Sequence, residues 1–248
     1  ILLCLTMGHF TSGAQNKIEL QKLEAWRKNP DSNFVKYLNQ KADGYSNLAD
    51  RYDSAEIFYS EAMKVAENIH YIRGLIKARG NLANSYFLNG KFGPSLDLLF
   101  KNESIQIEQG DSLNLFNTLR QEAGIYMRIG DTNMTRATLS RRQSILDLNG
   151  IKGLKDTSYY VISQYNSWAS FYNTPQINKP DSAEYFYRKM NTLGKNTSTS
   201  NLWEQLSSGG IARCLSAKSQ FDSAAFYYRI AAEAALKGNR PDNYNSFL

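Results

Sequence analysis

The sequence predicts an all-α chain in which one helix-turn-helix unit, about 40 residues long, recurs about five times as a stacked solenoid. The tripeptide Asp-Ser-Ala occurs three times, each time leading an aromatic phrase. Asp53-Ser54-Ala55 continues to Tyr59, Asp181-Ser182-Ala183 to Tyr187, and Asp222-Ser223-Ala224 to Tyr228. Two weaker copies between them set Ser95 and Thr135 where the others have Ala, so the small residue recurs at 55, 95, 135, 183 and 224. A large residue follows four positions after each: Tyr59, Leu99, Leu139, Tyr187 and Tyr228. Four residues make about one helical turn, so both members of each pair share a face.

Residues 1–14 lie outside this pattern. The apolar run Ile1 to Met7, followed by Ser12-Gly13-Ala14, matches the end of a secretory signal and its small-residue cleavage site. The run is too short to span a bilayer. It reads as a truncated signal peptide cut after Ala14, with 15–32 as a lead-in. Leu3 ahead of Cys4 argues against lipid attachment, which asks for a small residue there. The repeats are expected over 33–240.

In unit two, Leu82-Ala83-Asn84-Ser85-Tyr86 belongs to a first helix and Asn89-Gly90-Lys91-Phe92 to a turn. In unit three the equivalents are Glu122-Ala123-Gly124-Ile125-Tyr126 and Ile129-Gly130-Asp131. Gly90 and Gly130 fall where a helix end asks for positive φ. Unit four has a longer interhelix turn, Asn173 to Pro180, and a polar stretch from Asn191 to Asn201 reads as a second loop. Gly209-Gly210 is expected to run into the first helix of unit five, which carries Ile211-Ala212-Arg213-Cys214-Leu215. Residues 241–248 read as the start of a further, truncated repeat.

Leu82-Ala83-x-x-Tyr86 and Ala55-x-x-x-Tyr59 resemble the tetratricopeptide repeat (TPR), with Leu-Gly-x-x-Tyr in its first helix and Ala-x-x-x-Phe in its second. The period exceeds the family's ~34 residues and the first-helix Trp is mostly absent, as in long-helix variants. HEAT-like pairs share the longer period, but the Tyr and small-residue positions fit the tetratricopeptide pattern better. The resemblance implies a right-handed superhelical solenoid whose first helices line a groove for a protein or extended peptide. It assigns groove positions to Lys77, Asn81 and Asn84 in unit two, and to Asn117, Arg120 and Arg128 in unit three. Asn166 follows in unit four and Arg213 in unit five. Such Lys, Arg and Asn side chains suit an acidic, extended segment. Gly80 stands where the family's carboxylate clamp has Lys, so no clamp is expected.

Net charge is +6 and the isoelectric point about 9.1, yet the basic residues are scattered among 23 acids. No nucleic-acid face is expected. Arg136, Arg141, Arg142, Lys152 and Lys155 form the densest basic group and read as a solvated helix face. His70 and Cys214 are too isolated for a metal site or a nucleophile pair, and Cys214 reads as a buried structural thiol. Glu103 and Glu108 read as members of polar helix faces. The chain is therefore expected to bind protein, without catalysis, metal or cofactor. Its start and repeats resemble periplasmic sensor regions of Bacteroidetes-type signalling proteins, which implies an exported, periplasmic protein touching a membrane only through sequence not in view. A freestanding periplasmic scaffold, an array appended to an enzyme and a cytoplasmic peptide-sensing regulator are the alternatives.

Overall fold

The computed structural model describes residues 13–46, 52–147 and 158–238. Among these residues there are eleven helices. They are α1 (Gly13–Lys28), α2 (Ser32–Ser46), α3 (Tyr52–Asn68), α4 (Ile72–Leu88), α5 (Phe92–Glu108), α6 (Ser112–Ile129), α7 (Thr132–Asp147), α8 (Ser158–Tyr172), α9 (Pro180–Gly194), α10 (Ser200–Ala217) and α11 (Phe221–Lys237). Even-numbered helices are the first members of the expected pairs, and the odd-numbered helices from α3 to α11 the second members. The chain divides into two compact units, Ile1–Leu98 and Leu99–Leu248. The apolar run Ile1 to Met7, together with Lys152, Lys155 and residues 241–248, lies outside the described residues.

The repeated phrase packs as its spacing predicts. Ala55, Ser95, Thr135, Ala183 and Ala224 are all buried, as are Tyr59, Leu99, Leu139 and Tyr187, while Tyr228 is half-buried. Each buried large side chain contributes about 1.5–3 kcal/mol, and the small partner keeps the neighbouring helix close. Where the marker is polar its hydroxyl is bonded: Ser95 donates to the Ala83 carbonyl at 2.6 Å and Thr135 to the Asp131 carbonyl at 2.7 Å. In the first unit Phe34, Val35, Leu38, Ala62, Ala66, Leu75 and Ala78 form one core. Trp26 of α1 stacks on Phe34, with ring centroids 5.6 Å apart. In the second unit Ile162, Tyr187, Met190, Trp203, Ile211 and Leu215 anchor the core.

The turns keep a stricter beat than the side chains. Residues 70, 90, 110 and 130 all have positive φ (54°, 71°, 64° and 83°). In each case the next residue's amide reaches back five positions: Tyr71 to Ala66, Lys91 to Tyr86, Asp111 to Gln106 and Asp131 to Tyr126, at 2.8–3.0 Å. This is the closure that satisfies the last carbonyls of a helix. Gly90 and Gly130 sit at two of these corners as expected. His70 takes a third without glycine's freedom, and Ser219 (φ 59°) does the same before α11. Helix starts are fixed by side chains: Asp31, Asp111 and Asp131 accept from the amides of Phe34, Asn114 and Met134 at 2.9–3.1 Å.

Three expectations are corrected. The polar stretch Asn191 to Asn201 is mostly helix, with only residues 195–199 between α9 and α10. Gly209-Gly210 lies within α10, not ahead of it. A Cβ on Gly210 would meet the Tyr187 ring at 2.4 Å, so this glycine lets the aromatic of α9 lie against the α10 backbone. Arg142 is not on a solvated face, for it is fully buried. Its Nε donates to the Phe116 carbonyl of α6, and its terminal nitrogens donate to the Ser163 carbonyl and hydroxyl, Gln164 Oε1 and Ser167 Oγ of α8. The guanidinium also lies 3.7 Å from the Phe116 ring centroid. Burial, then the nearby Arg120 charge, pushes its pKa down to about 9. One side chain of α7 thereby ties α6 to α8.

Candidate protein-binding site

The residues assigned to the groove divide between the two units. In the first, α4 exposes Lys77 and Asn84, with Arg73 one turn before Lys77. Positions 73, 77 and 84 recur on one helix face. Asn81, half-buried, turns inward: its Nδ2 donates to Asp43 Oδ1 at 3.4 Å, and Asp43 also accepts from the Tyr59 hydroxyl at 2.6 Å. Burial and the Asp43 carboxylate push the Tyr59 phenol well above its usual pKa. Asn81 thus helps lock α2, α3 and α4, and its amide is partly spent on that task.

In the second unit, α6 exposes Arg120 and Arg128, and α10 exposes Arg213. Asn117 is half-buried and donates to the Leu113 carbonyl of its own helix at 3.2 Å. Asn166 of α8 is half-buried. Lys77, Arg120, Arg128 and Arg213 make no ion pair among the described residues. Neighbouring first helices touch through rings: Phe116 of α6 meets Tyr160 of α8 edge-on at 5.5 Å, and Tyr159 of α8 meets Trp203 of α10 at 5.6 Å.

Acidic side chains are distributed differently. Helices α4 and α8 carry none. Those on the other first helices are Asp43, bonded inward, Glu122, buried, and Glu204, half-buried. Several acids on the second helices are tied to basic partners. Glu56 pairs with Lys91 at 2.8 Å, Glu103 with Arg141, Glu184 with Arg188 and Lys218 at 2.6 Å, and Asp181 with Lys218 at 3.0 Å. Burial pushes the Glu184 carboxyl up, but the hydrogen bonds from Lys218 and Arg188 outweigh it and hold the carboxyl below its usual range. The exposed charges on first helices are therefore cationic, with Lys36 and Arg73 joining the four above. The sorting could be read from the sequence once the helix pairs were known, since α4 and α8 lack Asp and Glu altogether. Lys36 and Arg73 are what the repeat-by-repeat assignment passed over.

Cys214 is buried, and burial, then the Glu184 charge, pushes its thiol up to about 11. That is a packing thiol, in keeping with its sequence context. Among the described residues no group of three or more His, Cys, Asp and Glu could hold a metal ion, and no helix is long and apolar enough to cross a membrane.

No family model matches the chain, and no curated protein does. Solved structures do. BtubC (BKLC) from P. vanneervenii is 16% identical, with 91% of this chain and 90% of that chain covered at a TM-score of 0.67. Two structures of kinesin light chain TPR-like repeats from Podosopora anserina follow. One is 16% identical, covering 83% of this chain and 96% of that one at a TM-score of 0.60; the other is 15% identical, covering 83% and 97% at 0.59. At such identities the likeness shows the fold alone. The chain is an all-α TPR-like repeat array of sequentially packed helix-turn-helix pairs.

Proposed function

We propose that the chain is a non-catalytic scaffold in which the first-helix faces of each unit, taken by itself, hold an acidic, extended protein segment. The supporting observation is the sorting of charge: exposed first-helix charges are basic, while the acids of those helices are buried, half-buried or bonded inward. Lys77, Asn84, Arg120, Arg128 and Arg213 are the side chains free to meet carboxylates. Asn81, Asn117 and Asn166 contribute what their half-buried amides leave over. Fluorescence anisotropy with a labelled Asp/Glu-rich peptide, and a Lys/Arg-rich counterpart of equal length, tests the reading. The acidic peptide should bind with an affinity that falls as salt rises. Arg120→Glu with Arg128→Glu, both on α6, should weaken it about tenfold or more, since each exposed ion pair is worth ~0.2–1 kcal/mol and reversal adds repulsion. Equal binding of the two peptides sinks the proposal.

We also infer an extracytoplasmic setting, with the array as the sensing part of a bacterial signalling protein. Its support is the apolar run Ile1 to Met7 ahead of Ser12-Gly13-Ala14, together with the repeats that follow. Residues 1–32, given a start Met and two lysines, can be fused to a phosphatase active only outside the cytoplasm. Activity in intact bacteria supports export, and an inactive cytoplasmic fusion rejects it.

A further inference from the structure

Two positions after the buried small residue, each Asp-Ser-Ala copy sets a large apolar side chain in water: Ile57, Tyr185 and Phe226 are 54%, 56% and 50% exposed. The weaker copies have exposed Asp97 and Ala137 there, so the fold itself needs no apolar group at this position. In the second unit, Tyr185 and Phe226 ride on touching helices, for Arg188 of α9 donates to the Tyr227 hydroxyl of α11 at 3.0 Å. Each ring stands in a row of acid, ring and cation at helical spacing: Asp181, Tyr185 and Lys189 on α9, and Asp222, Phe226 and Arg229 on α11. All six side chains are exposed. Lys189 Nζ lies 5.5 Å from the Tyr185 ring centroid, and the Arg229 guanidinium 5.6 Å from that of Phe226. Asp181 accepts from Lys218 at 3.0 Å yet keeps 87% of its side chain in water. Asp222, Lys189 and Arg229 make no ion pair among the described residues, while Glu184 and Arg188 engage each other.

We propose that this α9–α11 face docks against the same face of a second copy, about a two-fold axis that crosses the helices at the level of the two rings. Such a contact is isologous. The axis reverses the helix direction, so the acid that begins each row meets the cation that ends it in the other copy. Asp181 then pairs with Lys189, and Asp222 with Arg229, in both directions. Tyr185 and Phe226 meet their own counterparts between those pairs and leave water. A row of acid, ring and cation matches itself when turned end for end, whereas a row with like charges at both ends would repel its own copy. That self-complementarity commits the face to a second copy over an unlike protein. None of the six side chains is among those assigned to the groove.

Sedimentation velocity on the whole chain, over a concentration series, reads the association. The wild type should dimerise. Asp222→Arg sets cation against cation and Arg229→Asp sets acid against acid, so each alone should weaken the dimer about tenfold or more. Mixing these two variants in equal amounts should restore dimers, because each supplies the charge that the other now needs. Tyr185→Ser with Phe226→Ser, which alters no charge, should weaken the dimer as well. Circular dichroism checks that each variant keeps the wild-type helix content. The idea is overturned if the wild type stays monomeric at every concentration reached, a result that needs no variant and leaves the face to an unlike partner. It is equally overturned by wild-type dimers that none of these substitutions weakens, or by a mixture of the two folded charge variants that stays monomeric.

Discussion

Replacing Arg142 should separate the value of its charge from the value of its bulk. The fall of its guanidinium from the ordinary value to about 9 converts to a charging cost of about 5 kcal/mol at 1.36 kcal/mol per tenfold. Against this stand five hydrogen bonds to α6 and α8, at a net ~0.5–1.5 kcal/mol each. Arg142→Met removes the cost and the bonds together while keeping most of the stem's packing. Of the acceptors left behind, the Ser163 carbonyl still receives the Ser167 hydroxyl at 3.0 Å. Gln164 Oε1 loses its bond, at about 1–3 kcal/mol. The terms nearly cancel, so the Met variant should fall within about 2–3 kcal/mol of the wild type. Arg142→Ala lacks in addition the γ-methylene, sulfur and methyl that the Met variant keeps buried, about three methylene equivalents at ~0.8 kcal/mol each, and leaves a cavity. It should be about 2–3 kcal/mol less stable than the Met variant. Urea unfolding followed by circular dichroism reads both as midpoint shifts at unchanged slope. If Ala and Met behave alike, or if Ala matches the wild type, the side chain does not pin α7 to its neighbours and the reasoning fails.

Gly210→Ala places a methyl group where the Tyr187 ring already lies, so it should destabilise by about 1–3 kcal/mol as an overpacking change; an unchanged melting temperature would show that α9 can shift freely. His70→Gly relieves a left-handed corner that costs an ordinary residue ~1–2 kcal/mol, less the greater freedom glycine gains when unfolded. The expected gain is about 0.5–1 kcal/mol in a urea titration, and a loss of stability would mean that the imidazole contributes a contact outweighing the strain.

What was legible in the sequence was local. Ala55 with Tyr59, or Ser95 with Leu99, announces a helix face by spacing alone, and Gly90 and Gly130 announce corners because only glycine takes positive φ cheaply. The corner at His70 was hidden because its residue carries no such mark. Gly210 was misread for a related reason. A glycine signals either a bend or a close approach, and the Tyr187 ring that distinguishes them comes from the preceding helix. Arg142 read as a surface cation because its neighbours Arg136 and Arg141 are exposed, while its partners Ser163, Gln164 and Ser167 come from the next helix. The binding residues were legible as types and positions. Their availability was not, for nothing near Asn81 in the chain reveals that Asp43 engages its amide.

The corners at 70, 90, 110 and 130 make the chain interchangeable by length. Each helix from α4 to α6 begins and ends on the same backbone closure, so a cut after one corner meets equivalent geometry after any other. Removing residues 91–130 would join Gly90 to Asp131, and the amide of Asp131 would inherit the bond to Tyr86 that Lys91 now makes. A gene for such a chain can gain or shed whole units by recombination at these corners without inventing a junction. Its reach can therefore change in evolution while every turn stays as it is.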